Sequence, residues 1–184
     1  MTSQNSVTTP LDTLAASASA KKGLPPVHKW HPPLSGTMDM VIRRDGSWWH
    51  EGTQIQREAL VRLFSTILRK DGKEFVLLSP VEKWIITVED APFVAVDVDV
   101  IGDGDAQVLR FTTNVGDTTD AGPDAPIRVS EDPATGAPSP YVMVRDGLEA
   151  LIDRKTFYRL AELGEEHDGR IGVRSNGVVF ALEG

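Results

Sequence analysis

Cysteine is absent from all 184 residues. Its absence excludes disulfides, thiolate metal sites and a cysteine nucleophile, and agrees with a reducing compartment. No apolar run approaches the roughly 18 residues a membrane span requires, so no spanning helix is expected. Positive charge is also scarce. Lys and Arg number 19 against 27 Asp and Glu, for a net charge of -8. That balance speaks against a nucleic-acid partner, since a polyanion is held by clustered cations. It leaves room for a local basic pocket holding one small anion. Residues 1–20 are rich in Ser, Thr and Ala and lack a basic segment followed by an apolar one. They do not read as a secretory signal, and the expected compartment is cytoplasmic.

Catalytic and cofactor signatures are missing as well. There is no Gly-x-Ser-x-Gly elbow and no Walker loop, and Gly102-Asp103-Gly104 lacks the third glycine and the strand-to-helix setting of a dinucleotide motif. His28 and His31 have ligand-like spacing without a third ligand, so no metal is expected there. Asp97, Asp99, Asp103 and Asp105 depart from EF-hand spacing and read as a solvated face. His50 is the one plausible base near neutral pH, with no nucleophile marked nearby. The sequence therefore reads against an enzyme, with no catalytic residue and no cofactor assigned.

What the chain does contain is an internal repeat. Residues 55–76 align without a gap on residues 152–173, 97 positions further on, and seven of the 22 pairs are identical. They are Ile55/Ile152, Arg57/Arg154, Arg62/Arg159, Leu63/Leu160, Asp71/Asp168, Gly72/Gly169 and Val76/Val173. Ordinary composition gives roughly one or two such matches. Upstream, Val142 to Gly147 repeats Val41 to Gly46 at four of six positions with an offset of 101. The extra Glu51-Gly52 turn of the first copy absorbs the difference, as a loop tolerates.

Periodicity gives the repeated unit its form. Apolar residues at Leu60, Leu63, Phe64, Ile67 and Leu68 form a helical stripe, which predicts a helix over 57–69; its second copy is predicted over 154–163 with Asp153 as N-cap. Alternation predicts strands at 40–44, 47–50, 74–78, 81–88, 93–101, 107–113, 126–130, 141–144, 170–173 and 178–182. Residues 117–125 and 131–140 are rich in Asp, Gly, Pro, Thr and Ser and read as long loops. The expected fold is α+β, an internal duplication of a strand-turn-helix-strand-strand unit. Its parts are a mobile Pro-rich leader at 1–37, an N-terminal half at 38–91 and a C-terminal half at 92–184. With the leader counted in the first, each half of the 184-residue chain has roughly 90 residues, near the lower limit for an independent core.

Two features carry candidate chemistry. Arg57 and Arg154 stand in first helical turns, where a cation opposes the helix dipole by roughly 0.3–1 kcal/mol. Ion pairs to Asp39 or Asp45 in the first copy, and to Asp146 or Asp153 in the second, are the expected compensation. The alternative is that one arginine faces the cleft between the halves and binds an anion such as phosphate through its bidentate fork. Trp48 and Trp49 face opposite sides of a strand, so one enters the core; the other, with Trp84 and His50, either packs between the halves or lines a groove that stacks on a ring.

An ordered set of residues carries a family resemblance. Trp30-His31-Pro32-Pro33, Gly36, Asp39-Met40, Asp45-Gly46, Trp48, His50, Gly52, Ile55, Arg57, Leu60-Val61, Leu63-Phe64, Pro80-Val81-Glu82-Lys83 and Val88 to Phe93 resemble the proteobacterial domain-of-unknown-function family 1285. The resemblance implies a duplicated α+β core whose second half looks like a pleckstrin-homology-type barrel capped by its helix. It implies no established activity, and a ligand-binding or signalling module for a nucleotide-like ligand at the junction of the halves. The resulting expectation is a binding module with Trp48, His50, Arg57, Trp84 and Arg154 as ligand residues. A protein-interaction adaptor is the alternative, and a His50-dependent hydrolase the second alternative.

Overall fold

The computed structural model describes residues 9–19 and 23–183, and divides the chain into two units. The first comprises residues up to Val41 together with Trp48–Thr87; the second comprises Ile42–Ser47 together with Val88–Gly184. No helix among the described residues is long and apolar enough to cross a membrane.

The first unit is built from α1 (Pro10–Ser19), β1 (Gly36–Ile42), β2 (Trp48–His50), β3 (Thr53–Gln54), α2 (Glu58–Ser65), β4 (Leu68–Asp71), β5 (Glu74–Leu78) and β6 (Lys83–Val88), the last residues of β1 and β6 counting with the second unit. Its sheet has the order β3-β2-β1-β6-β5-β4. Along β1, Met38, Met40 and Ile42 are buried while Thr37 and Asp39 are exposed, the two-residue period of a strand with one wet face. Trp48 is completely enclosed and its ring stacks on Phe64 of α2, with centroids 6.4 Å apart.

The helix predicted over 57–69 stops at Ser65. Ser65 Oγ donates to Arg62 O at 2.6 Å and Thr66 Oγ1 donates to Leu63 O at 2.6 Å, so hydroxyls take carbonyls that a longer helix would use. The β-branched pair Thr66-Ile67 further favours exit. Leu68 then belongs to β4, which pairs antiparallel with β5 from Leu68↔Leu77 to Asp71↔Glu74. Apolar residues at helical spacing were shared here between a helix and the strand after it.

The leader is docked where it is described. Leu14 and Ala18 of α1 are buried and α1 packs on α2. Residues Val27–Lys29 form a short 3-10 turn whose carbonyl at Val27, with that of Trp30, accepts from Arg69 Nη1 at 2.6 and 2.7 Å. Asp71 holds the other side of the Arg69 guanidinium through Nε and Nη2, at 2.6 and 2.9 Å.

The second unit contains β7 (Phe93–Ile101), β8 (Val108–Thr113), β9 (Thr118–Asp120), β10 (Ile127–Glu131), β11 (Pro138–Arg145), β12 (Leu148–Ile152), α3 (Arg154–Leu163), β13 (Glu165–His167), β14 (Arg170–Ser175) and β15 (Val178–Ala181). Six strands form a sheet ordered β10-β11-β12-β7-β8-β9, with β12 parallel to β7, and the last three form a separate sheet ordered β13-β14-β15. The order α3-β13-β14-β15 repeats α2-β4-β5-β6, so the protein is α+β with two similar halves.

The stretches expected as loops at 117–125 and 131–140 contain β9 and the start of β11. Pro138 and Pro140 are tolerated in β11 because residues 138–140 pair with β10 alone, while pairing with β12 begins at Tyr141↔Leu151. The two Arg-Asp-Gly turns also differ. Asp146 and Gly147 both have positive φ, at 44° and 80°, in the two-residue hairpin loop between β11 and β12. In the first copy only Gly46 does, at 87°, and Gly46 N donates to Arg43 O within a longer loop.

Candidate functional site

Arg154 is the first residue of α3, and its neighbour Asp153 is the N-cap. Asp153 Oδ1 accepts from Thr156 N at 3.0 Å, and its other oxygen pairs with Lys155 Nζ at 3.2 Å. Of the two carboxylates expected to neutralise Arg154, Asp153 is therefore committed to the helix backbone and a lysine, and Asp146 makes no ion pair among the described residues. Arg154 is exposed and makes no ion pair among the described residues; the same holds for Arg57, which caps α2 without a side-chain hydrogen bond. Asp45, offered as a partner for Arg57, bonds Ser47 N at 2.9 Å instead. The compensating ion pairs expected for both arginines are absent.

Within the second unit Arg154 opens on a cavity of about 760 Å³ together with Arg44, Asp132, Ser139, Phe157 and Tyr158. That volume lies within the range of roughly 300–1,000 Å³ usual for small-molecule sites. Tyr158 follows Arg154 by four residues, so the two share a helix face, and it is 60% exposed. Arg44 is less free. Its Nε pairs with Asp90 at 3.2 Å, its Nη2 donates to Ser139 Oγ at 3.2 Å and its backbone N–H donates to Glu89 at 3.0 Å.

Behind Arg44 lies a chain of polar contacts. Tyr141 OH donates to Asp90 at 2.6 Å, and burial, aided by that carboxylate, raises the phenol above its ordinary value. Arg128 sits over the Tyr141 ring, 4.2 Å from its centroid, and makes a bidentate pair with Glu149 at 2.8 and 2.9 Å. These contacts fix the Arg44 side of the cavity and leave Arg154 as its unneutralised cation.

The other sequence-predicted residues lie in the first unit and line neither this cavity nor the one described below for that unit. Trp48 is core, so its faces are taken by packing; its Nε1 has no hydrogen-bond partner. Trp84 is half-buried, also with Nε1 unpartnered, and its ring lies so close to Gly36 that a Cβ there would stand 3.3 Å away. His50 is half-buried on β2 opposite Thr53. The first unit's own cavity, about 480 Å³, is lined by His28, His31, Arg69, Asp71 and Lys83. Four of the five N–H donors of the Arg69 guanidinium are taken by Asp71 and the leader carbonyls. No three His, Asp or Glu side chains among the described residues are grouped to hold a metal.

Sequence reasoning passed over Arg44, Phe157 and Tyr158. A signal was present in the repeat: Phe157-Tyr158 of the second copy stands where the first copy has Leu60-Val61. The duplicated arginine has an aromatic beside it in one copy only.

Comparison with known proteins shows the family. Residues 25–91 match the family described as "Domain of unknown function (DUF1285), N-terminal domain", and residues 92–182 match "Protein of unknown function (DUF1285), C-terminal domain". A DUF1285 family protein from Silicibacter pomeroyi DSS-3 has a crystal structure that is 59% identical, with a TM-score of 0.86, covering 92% of this chain and 94% of that one. A second, from Shewanella baltica OS155, is 25% identical with a TM-score of 0.55, covering 68% of this chain and 91% of that one. No curated protein matches. The chain belongs to the DUF1285 family.

Proposed function

We propose that this protein is a non-enzymatic binding module whose ligand site is the cavity at the start of α3, and that the ligand is small, anionic and nucleotide-like. The observation that carries this reading is Arg154: a cation exposed at a cavity wall, without a counter-ion among the described residues, one helical turn from an exposed tyrosine. A guanidinium offers phosphate a bidentate fork, and an aromatic face accepts a flat ring. Because Asp153 already caps the helix amides, the anion would be held by the side chain rather than by the backbone.

In the same proposal the second unit is a pleckstrin-homology-like barrel closed by α3, a shape suited to ligand-controlled signalling. Support comes from ties between its two sheets: Leu109 N–H of β8 donates to Ser175 Oγ of β14 at 2.8 Å, and Gln107 Nε2 donates to Arg174 O at 2.8 Å. The test is thermal unfolding with millimolar adenosine 5′-monophosphate. Binding to the folded state raises the melting temperature by mass action. Arg154→Ala should remove the rise and Arg57→Ala should leave it. No rise in the wild type, or a rise that survives Arg154→Ala, overturns the assignment.

A further inference from the structure

The charges around the cavity point to the class of ligand, an inference that rests on the reading above. Two cations line it, Arg44 and Arg154, and two carboxylates, Asp132 and Asp153. Arg44 is opposed by the Asp90 carboxylate at its side chain and by Glu89 at its backbone. Asp153 is offset by Lys155. Among the described residues what remains is one unopposed cation, Arg154, and one carboxylate, Asp132, whose Oδ1 accepts from the backbone N–H groups of Ala134 and Thr135 at 2.8 and 3.3 Å. That turn holds Asp132 at the cavity wall as a negatively charged hydrogen-bond acceptor.

We propose that the site selects a ligand with a single phosphate and a donor-bearing far end, as in a nucleoside monophosphate, and discriminates against di- and triphosphates. The phosphate engages the Arg154 fork, the ring lies against Tyr158, and hydroxyl or amino donors of the ligand face Asp132. A second or third phosphate brings further negative charge into a cavity whose one unopposed cation among the described residues is already engaged and whose lining also carries a carboxylate. Like charges forced together in a partly desolvated site repel strongly, and a carboxylate there rejects what it cannot hydrogen-bond.

The experiment is calorimetric titration of the full chain with adenosine 5′-monophosphate, the diphosphate, the triphosphate, adenosine and inorganic phosphate at fixed ionic strength. The monophosphate should bind most tightly, with each added phosphate weakening binding about tenfold, equivalent to about 1.4 kcal/mol per step. Asp132→Asn, at an exposed position, should narrow the monophosphate-to-diphosphate gap to about threefold or less, equivalent to about 0.7 kcal/mol. A triphosphate that binds as tightly as the monophosphate overturns the selectivity while leaving a nucleotide site in place. So does a gap that Asp132→Asn leaves unchanged. If none of the five compounds binds, the ligand reading itself falls and this inference falls with it.

Discussion

Arg154 and Tyr158 stand one helical turn apart on α3 and border the same cavity, whereas Arg57, the duplicate of Arg154, has Val61 one turn further on. The duplication has therefore kept a charge in both copies and placed an aromatic next to it in one. Two predictions separate binding from folding at this site.

Tyr158→Ala should weaken nucleoside monophosphate binding without lowering the melting temperature of the free protein. The ring is 60% exposed, so little core contact is lost. Base-on-aromatic stacking is worth about 1–3 kcal/mol, which sets the expected loss in a calorimetric titration. Unchanged affinity would remove the ring from the site.

Asp153→Ala should destabilise the protein by about 1 kcal/mol, the usual cost of losing an N-cap, measured by urea unfolding. Asp153→Asn should recover most of this, because an amide oxygen can still accept from Thr156 N while the pair with Lys155 is lost. If the asparagine variant is as weak as the alanine one, the ion pair rather than the cap is what matters.

Asp71 supplies a pH prediction. The hydrogen bond from Arg69 is the largest influence holding its carboxyl below the ordinary value of 3.8. A depressed folded value means the unfolded chain takes up the proton first as acid is added. The stabilisation is thus fully present above about pH 4 and is lost as pH falls through the lower, folded value. Melting temperatures of wild type and Asp71→Asn should differ near neutral pH and converge as pH falls below about 4. A constant difference across that window would contradict the role given to the Arg69–Asp71 pair.

Two glycine substitutions should differ in size. Gly169→Ala, at φ 80° with open space around it, should cost about 1 kcal/mol from backbone strain. Gly46→Ala, at φ 87°, would also set a Cβ 2.6 Å from Asn114 Nδ2, which donates to Gly46 O. A cost of about 2–3 kcal/mol is expected there, read by urea unfolding. Equal costs would mean that Asn114 moves aside freely.

Much of the fold was legible because it rests on local rules: Asp153 before Arg154, Asp-Gly turns, and alternation along 93–101. Where those rules competed, the sequence misled. Ile67 and Leu68 continue a helical stripe, yet hydroxyls at Ser65 and Thr66 end the helix and the next turn pairs as a strand. Pro138 and Pro140 look like loop residues until the register shows that one neighbour alone pairs with them. Of the candidate site, Arg154 was visible as a misplaced cation. Arg44 was not, because its place beside Ser139 is a contact across 95 residues. Trp48 carried the strongest compositional signal and lies in the core, where large aromatics bury most surface.

The prolines of β11 bear on assembly. Met143 N–H donates to Pro126 O on the β10 side, so by alternation the amide positions of residues 138 and 140 point away from β10, toward the flank where β12 has ended. Both positions are proline and offer no donor. A foreign strand that tried to extend the sheet there would find an incomplete ladder, beside the cavity that Pro138 and Pro140 help to line. That flank of the sheet is thereby a poor template for another polypeptide backbone.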